Sequence, residues 1–144
     1  MKTTITPAND KPVTLLLYED NKELRENLVG LISLYPEFEL LASFENCLDI
    51  EGHVKGYEPD VLLMDIEMPL VDGIKGVQIV RQFNEMLPII MLTVFEDNKH
   101  VLEAIIAGAT GYILKQYMVT HLASAIQEAL RGGAPMSPVI ARMV

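Results

Sequence analysis

The 144-residue sequence predicts an α/β fold, a parallel β-sheet with helices on both faces, and three observations carry that prediction. Strand-like and helix-like segments alternate five times along the chain. The runs Val13-Thr14-Leu15-Leu16-Leu17-Tyr18 and Val61-Leu62-Leu63-Met64 are nearly all apolar, as strands covered on both faces are. The connections between segments are short, as they are when strand, helix and strand form right-handed crossover units.

The first strand is predicted over residues 13–18 and the first helix over about 21–35, where Leu24, Leu28, Leu31, Ile32 and Tyr35 form one apolar stripe. Residues 37–44 alternate only in part, which places the second strand nearer the sheet edge. The second helix, about 46–57, is weak, because Gly52 and Gly56 each cost roughly 1 kcal/mol relative to Ala. Residues 60–65 form the most buried-looking strand. A third helix spans about 73–86, with Ile74, Val77, Val80 and Phe83 at spacings of three. The fourth strand takes 88–93, the fourth helix 98–107 and the fifth strand 110–114. The last helix covers about 119–131, with Val119, Leu122, Ile126 and Leu130 facing inward. Gly108 and Gly132-Gly133 read as helix stops. Eight methionines, Met64, Met86 and Met91 among them, read as core filler. Five βα units in one domain, residues 13–131, give a five-stranded sheet of flavodoxin-like order 2-1-3-4-5.

Residues 1–12, Thr- and Pro-rich and without period, read as a flexible leader. Eleven Lys and Arg against twenty Asp and Glu give a net charge of −9, which argues against direct nucleic-acid binding by this segment. The single Cys47 excludes an internal disulfide and fits a reducing compartment. No apolar stretch approaches the ~20 residues that cross a bilayer, and the start lacks the apolar centre of a secretory signal. The chain therefore reads as cytoplasmic, with no membrane contact.

Charged residues close three of the apolar runs: Glu19-Asp20 the first, Asp65 the third and Lys115 the fifth. Thr93 closes the fourth. In a parallel sheet the carboxyl ends of the strands share one edge, where ligands bind. Singly, each has an ordinary explanation: Asp20 as the N-cap of the first helix with Glu23 completing a capping box, Asp65 as a turn cap before Met68-Pro69, Lys115 as a surface lysine. Four such residues at the same ends of neighbouring strands point instead to a site. Close carboxylates repel, and a hard divalent cation such as Mg²⁺ relieves that repulsion while leaving positions open for a phosphate. Lysine and hydroxyl add the charge and donor that phosphoryl transfer uses, and an Asp carboxylate can itself become an acyl phosphate. His53, His100 and His121 are scattered at spacings that do not suit zinc, and Cys47 reads as a structural thiol.

The motif set Glu19-Asp20, Asp65-Ile66-Glu67-Met68-Pro69, Asp72-Gly73, Thr93 and Gly111-Tyr112-Ile113-Leu114-Lys115 resembles the response regulator receiver domain of two-component signalling, over about residues 13–131. Residues 92–97 and 107–112 resemble its NarL/LuxR transcriptional subfamily. The resemblance implies that Asp65 accepts a phosphoryl group from a sensor histidine kinase. It implies Mg²⁺ on Asp20 and Asp65, on Glu19 mainly through water, and on the backbone carbonyl of Glu67. Thr93 and Lys115 would hold phosphoryl oxygens, Tyr112 would be the switch aromatic, and Pro69 and Gly73 would shape the loop. Glu67 also stands where its side chain could flank a hydrolytic water. Catalysis would be confined to the domain's own phosphorylation and dephosphorylation, so no separate enzyme activity is expected.

Residues 132–144 resemble the start of the subfamily's linker to a C-terminal helix-turn-helix domain, with Ser137-Pro138 a good helix start. This is the expected segment of a DNA-binding transcription regulator in which DNA contact lies in that further domain. A homodimer through the fourth helix, fifth strand and fifth helix, or through the first and fifth helices, is implied. The chief alternative is an Mg²⁺-dependent aspartyl-phosphate phosphatase of the haloacid dehalogenase kind. Its Asp-x-Asp-x-Thr motif is only partly matched, since Pro69 stands at the Thr position and the motif should close the first strand. A nucleotide or flavin binder would need a phosphate loop after the first strand, where Tyr18-Glu19-Asp20-Asn21 stands instead. A degenerate receiver is opposed by the intact Asp65, Thr93 and Lys115.

Overall fold

The structure, a computed structural model, describes residues 11–144, so the leader assigned to 1–12 lies almost wholly outside the described residues. The elements are β1 (Val13–Tyr18), α1 (Lys22–Ser33), β2 (Phe38–Phe44), α2 (Ile50–Tyr57), β3 (Val61–Met64), α3 (Gly73–Arg81), β4 (Ile89–Thr93), α4 (Asn98–Ala107), β5 (Gly111–Leu114), a 3₁₀ turn at Lys115–Tyr117, α5 (Met118–Leu130) and α6 (Pro138–Ala141). All strand pairs are parallel, in the order β2-β1-β3-β4-β5.

The strands are dressed on both faces, and their side chains divide with a period of two. Leu15, Leu17, Val61, Leu63, Ile90, Leu92 and Ile113 share one core with Leu28 and Ile32 of α1 and Leu122 and Ile126 of α5. Leu16, Tyr18, Leu62, Met64, Ile89, Met91, Tyr112 and Leu114 share the other with residues of α2, α3, α4 and α6. Right-handed crossovers explain this division. The chain runs from β1 outward to β2, then reverses across β1 to β3, so α1 lies on the opposite face from α2. The reversal leaves a crevice between the carboxyl ends of β1 and β3.

Several boundaries differ from the periodic reading, each for a local reason. Helix α2 begins at Ile50, because the Asn46 side chain accepts from Leu48 N and turns the chain before it. Helix α3 stops at Arg81, since the Asn84 side chain takes the Met86 and Leu87 N–H groups. Met86 is therefore exposed and not core filler. In α5 the buried face is Leu122, Ala125, Ile126 and Ala129, while Val119 and Leu130 are exposed. The stripe is thus centred on Leu122 and Ile126 with the small Ala125 and Ala129 beside them, and turned away from Val119 and Leu130.

Residues 133–141 fold back along the outer edge of β5. Tyr112 pairs in parallel with Met136, and α6 begins at Ser137 with Pro138 in its first turn. Among the described residues, no helix is long and apolar enough to cross a membrane.

Candidate functional site

The crevice at the β1–β3 reversal gathers the charged strand ends. Glu19, one residue beyond β1, is 1% exposed, and Asp65, one residue beyond β3, is 6% exposed. One carboxylate oxygen from each of Glu19, Asp20 and Asp65 can be chosen so that all three lie within 4.8 Å of one another. From the end of β5, Lys115 Nζ reaches Glu19 Oε1 at 2.9 Å and donates to Asp65 Oδ2 at 3.1 Å. Three carboxylates and one ammonium leave a formal charge of −2, which a hard divalent cation with oxygen ligands would neutralise.

Local chain geometry holds these groups in place. Asn21, not Asp20, caps α1, its side chain accepting from Leu24 N at 2.9 Å. Asp20 thus stays at the crevice, exposed and without a capping role. Glu19 Oε2 accepts from Asn21 N, and Asp65 Oδ1 accepts from Ile66 N. Asp65 therefore caps nothing beyond its own next residue. Arg25, which the sequence patterning did not single out, donates from Nη1 to the carbonyls of Glu19 at 2.6 Å and Asp20 at 3.3 Å. The signal for it was an arginine one helical turn past Asn21, within a stretch, Glu19–Glu26, in which four acids outnumber two cations.

The loop after β3 closes tightly over the Asp65 backbone. Gly73 N donates to Ile66 O at 2.7 Å, and a Cβ built on Gly73 would lie 1.9 Å from the Asp65 carbonyl oxygen. Only glycine fits there. Pro69 O accepts from Val71 N, turning the loop, and Asp72 caps α3 through Lys75 N. The Glu67 side chain is exposed and is not among the three converging carboxylates. It lines a recess beside the site with Ile66, Met68, Asp72, Phe95 and His100.

Thr93, fully buried at the end of β4, accepts from Phe95 N through its hydroxyl at 3.3 Å. Tyr112 is also fully buried, and its phenol donates to Phe95 O at 2.6 Å. Thr93 and Tyr112 thus grip the same residue of the β4–α4 loop. Burial, with the charges of Asp97 and Asp65, pushes the Tyr112 phenol above its ordinary range and keeps it a donor.

The electrostatics follow from crowding. Burial raises the Glu19 carboxyl above its ordinary value; repulsion from Asp65 adds to this and the Lys115 hydrogen bond opposes it. For Lys115, burial works against the charge, but the hydrogen bond to Glu19 and the attraction of both carboxylates outweigh it, so its ammonium is held above the usual range. Away from the site, burial pushes the Cys47 thiol up to about 12 and leaves it protonated. Its Sγ lies 3.2 Å from Met64 Sδ, a packing position.

Comparisons with known proteins agree with this geometry. The family model for the response regulator receiver domain matches residues 15–127. The transcriptional regulatory protein DegU of Brevibacillus brevis is 30% identical over 133 residues, which cover 92% of this chain and 56% of DegU. The nitrate/nitrite response regulator NarL of Escherichia coli K12 is 28% identical over 133 residues, covering 92% of this chain and 62% of NarL. A crystal structure of a LuxR-family two-component response regulator from Aurantimonas sp. SI85-9A1 superposes with a TM-score of 0.86 at 28% identity, covering 92% of this chain and 95% of that one. The chain thus spans little more than half the length of the curated relatives it matches.

Proposed function

This chain belongs to the response regulator receiver family, in its NarL/LuxR branch, and from that premise we propose that Asp65 accepts a phosphoryl group from a sensor histidine kinase. The haloacid dehalogenase alternative drops out: the matching family model is the receiver's, and Asp65 closes the third strand and not the first. The observation that carries the proposal is the convergence of Lys115, Glu19 and Asp20 on one buried aspartate.

A carboxylate oxygen of Asp65 attacks phosphorus, the phosphorus–nitrogen bond of a phosphohistidine breaks, and the imidazole leaves with a proton. Receiver domains bind Mg²⁺ at an acidic pocket, and the oxygen-only donor set here suits that ion. Asp20 and Asp65 would hold it directly, Glu19 through water, and the Glu67 carbonyl would complete the protein ligands. When bound, it supplies charge neutralisation at the phosphoryl oxygens. Lys115 takes a phosphoryl oxygen in place of Asp65 Oδ2. The Thr93 hydroxyl, which already accepts from Phe95 N, has its own proton free to donate. Because Tyr112 holds the same Phe95, movement of Thr93 toward the phosphoryl group shifts the Tyr112 region as well, which is the switch.

In the whole regulator the switch would control a DNA-binding domain reached through residues 132–144, acting in the cytoplasm. Catalysis would be confined to gain and loss of the domain's own phosphoryl group. Homodimerisation would use α4, β5 and α5, or α1 and α5; the first of these faces is already occupied in part by residues 135–141 on the β5 edge. Incubation with acetyl phosphate or phosphoramidate and Mg²⁺ should add one phosphate to the intact mass, and Asp65→Asn should abolish the gain. Turnover of small phosphate esters would contradict the proposal, and an unmodified wild-type protein would show a degenerate receiver.

A further inference from the structure

The outer edge of β5 is a strand-addition site, and its occupant is the chain's own segment Pro135–Ile140. Three hydrogen bonds seat it. Tyr112 N donates to Pro135 O at 2.9 Å, Ser137 N to Tyr112 O at 3.1 Å, and Leu114 N to Ser137 Oγ at 3.1 Å. The edge is cut to receive it: a Cβ on Gly111 would meet Pro135 O at 2.6 Å and Pro135 Cγ at 2.8 Å. Ser137 and Ile140 are both 0% exposed, and Ile140 joins the core cluster that contains Tyr112, Leu114 and Val101. Ser137 caps its helix without a side-chain hydrogen bond there, because its hydroxyl is committed to β5.

This seat lies on a continuous chain of contacts that ends at the site. The segment binds both backbone groups of Tyr112, and the Tyr112 phenol binds Phe95 O. Phe95 N in turn binds the Thr93 hydroxyl, and Leu114, held by Ser137, is followed directly by Lys115. We propose that Pro135–Ile140 is a strap whose docking favours the phosphorylated state of Asp65 and is itself tightened by phosphorylation. Docking keeps Tyr112 buried and Phe95 in place, and so leaves the Thr93 proton aimed for donation; a phosphoryl group that takes that proton fixes the same arrangement from the other end. Binding free energies couple reciprocally, so each event must strengthen the other by the same factor. The proposal rests on Asp65 as the phosphoacceptor and names the regulation of that site.

The test uses the full chain with acetyl phosphate and Mg²⁺, following intact mass and amide hydrogen exchange in the same samples. Exchange at the Tyr112, Leu114 and Ser137 amides should slow at least about fivefold once Asp65 is phosphorylated. Ile140→Asp, which puts a charge in the seat, should weaken binding of beryllium fluoride with Mg²⁺ at least about fivefold, while Mg²⁺ alone binds as in the wild type. Ser137→Ala, a milder change that removes one bond, should move both readouts in the same directions by a smaller factor. Unchanged or faster exchange in protein whose mass shows the phosphate overturns the strap and leaves the phosphoacceptor reading standing. So does wild-type beryllium fluoride affinity in Ile140→Asp. Equal loss of Mg²⁺ and beryllium fluoride binding shows a merely structural role and overturns it too. If no phosphate reaches Asp65 in the wild type, the phosphoacceptor reading fails and the strap proposal falls with it.

Discussion

Replacing Lys115 with Ala removes the ammonium that neutralises the crevice. Its nitrogen lies 2.9 Å from Glu19 and 3.1 Å from Asp65, whose side chains are only 2% and 7% exposed. Without it, two buried like charges face one another, and breaking a buried pair in this way costs about 3–5 kcal/mol. Protonation sets a ceiling on that cost. Holding one carboxyl of ordinary value 4.5 in its neutral form at pH 7 costs roughly 3.4 kcal/mol, so Glu19 takes up a proton before the penalty grows further. The variant should therefore lose about 3 kcal/mol at pH 7, close to 10 °C in melting temperature for a domain of this size. The ceiling falls by about 1.4 kcal/mol per pH unit, so the loss should shrink to no more than about 0.7 kcal/mol at pH 5. Denaturant unfolding in a chelator, at both pH values, reads this directly. A loss under about 1 kcal/mol at pH 7, or one that does not shrink on acidification, would refute the electrostatic reasoning.

Glu19→Gln probes the same crowding from the other side. Because the folded protein holds the Glu19 proton above its ordinary 4.5, wild-type stability should fall relative to the variant as pH rises from about 4.5 through the elevated value, and the gap should then stay constant. Metal-free denaturation midpoints across that range check the sign; a gap that opens toward lower pH contradicts it. Gly73→Ala would set a Cβ 1.9 Å from the Asp65 carbonyl oxygen, where only backbone can yield, so stability should drop by more than about 2 kcal/mol and labelling by acetyl phosphate should fail. Glu67→Ala should change the lifetime of the phosphorylated form without changing its yield at saturating acetyl phosphate, because the exposed carboxylate lines the recess beside Asp65. An unchanged half-life would remove Glu67 from that role.

The strands and the charged residues at their ends were legible because burial on both faces leaves little choice of residue type, so an acid or lysine closing such a run stands out. What stayed hidden depended on choices between near-equals or on contacts without a period. Asp20 and Asn21 are both good N-caps; the chain uses Asn21, and Arg25 on the adjoining carbonyls fixes the loop that keeps Asp20 at the crevice. The α5 face was misphased because Ala125 and Ala129 carry little hydrophobic weight yet are buried beside Leu122 and Ile126. Ser137-Pro138 marked a helix start, but one parallel bridge and a four-residue helix show no repeat from which docking on β5 could be read. Gly111 was the one trace of it, since its missing side chain leaves the room that Pro135 fills.

The central claim is that one particular carboxylate of the cluster carries the phosphoryl group. An acyl phosphate is reduced by borohydride, converting an aspartate to homoserine, while free carboxylates are untouched. After treatment with acetyl phosphate and Mg²⁺, reduction and peptide mass mapping should place homoserine at position 65 alone, and omission of Mg²⁺ should abolish it. Homoserine at position 20, or none anywhere in protein that has gained a phosphate, would contradict the account.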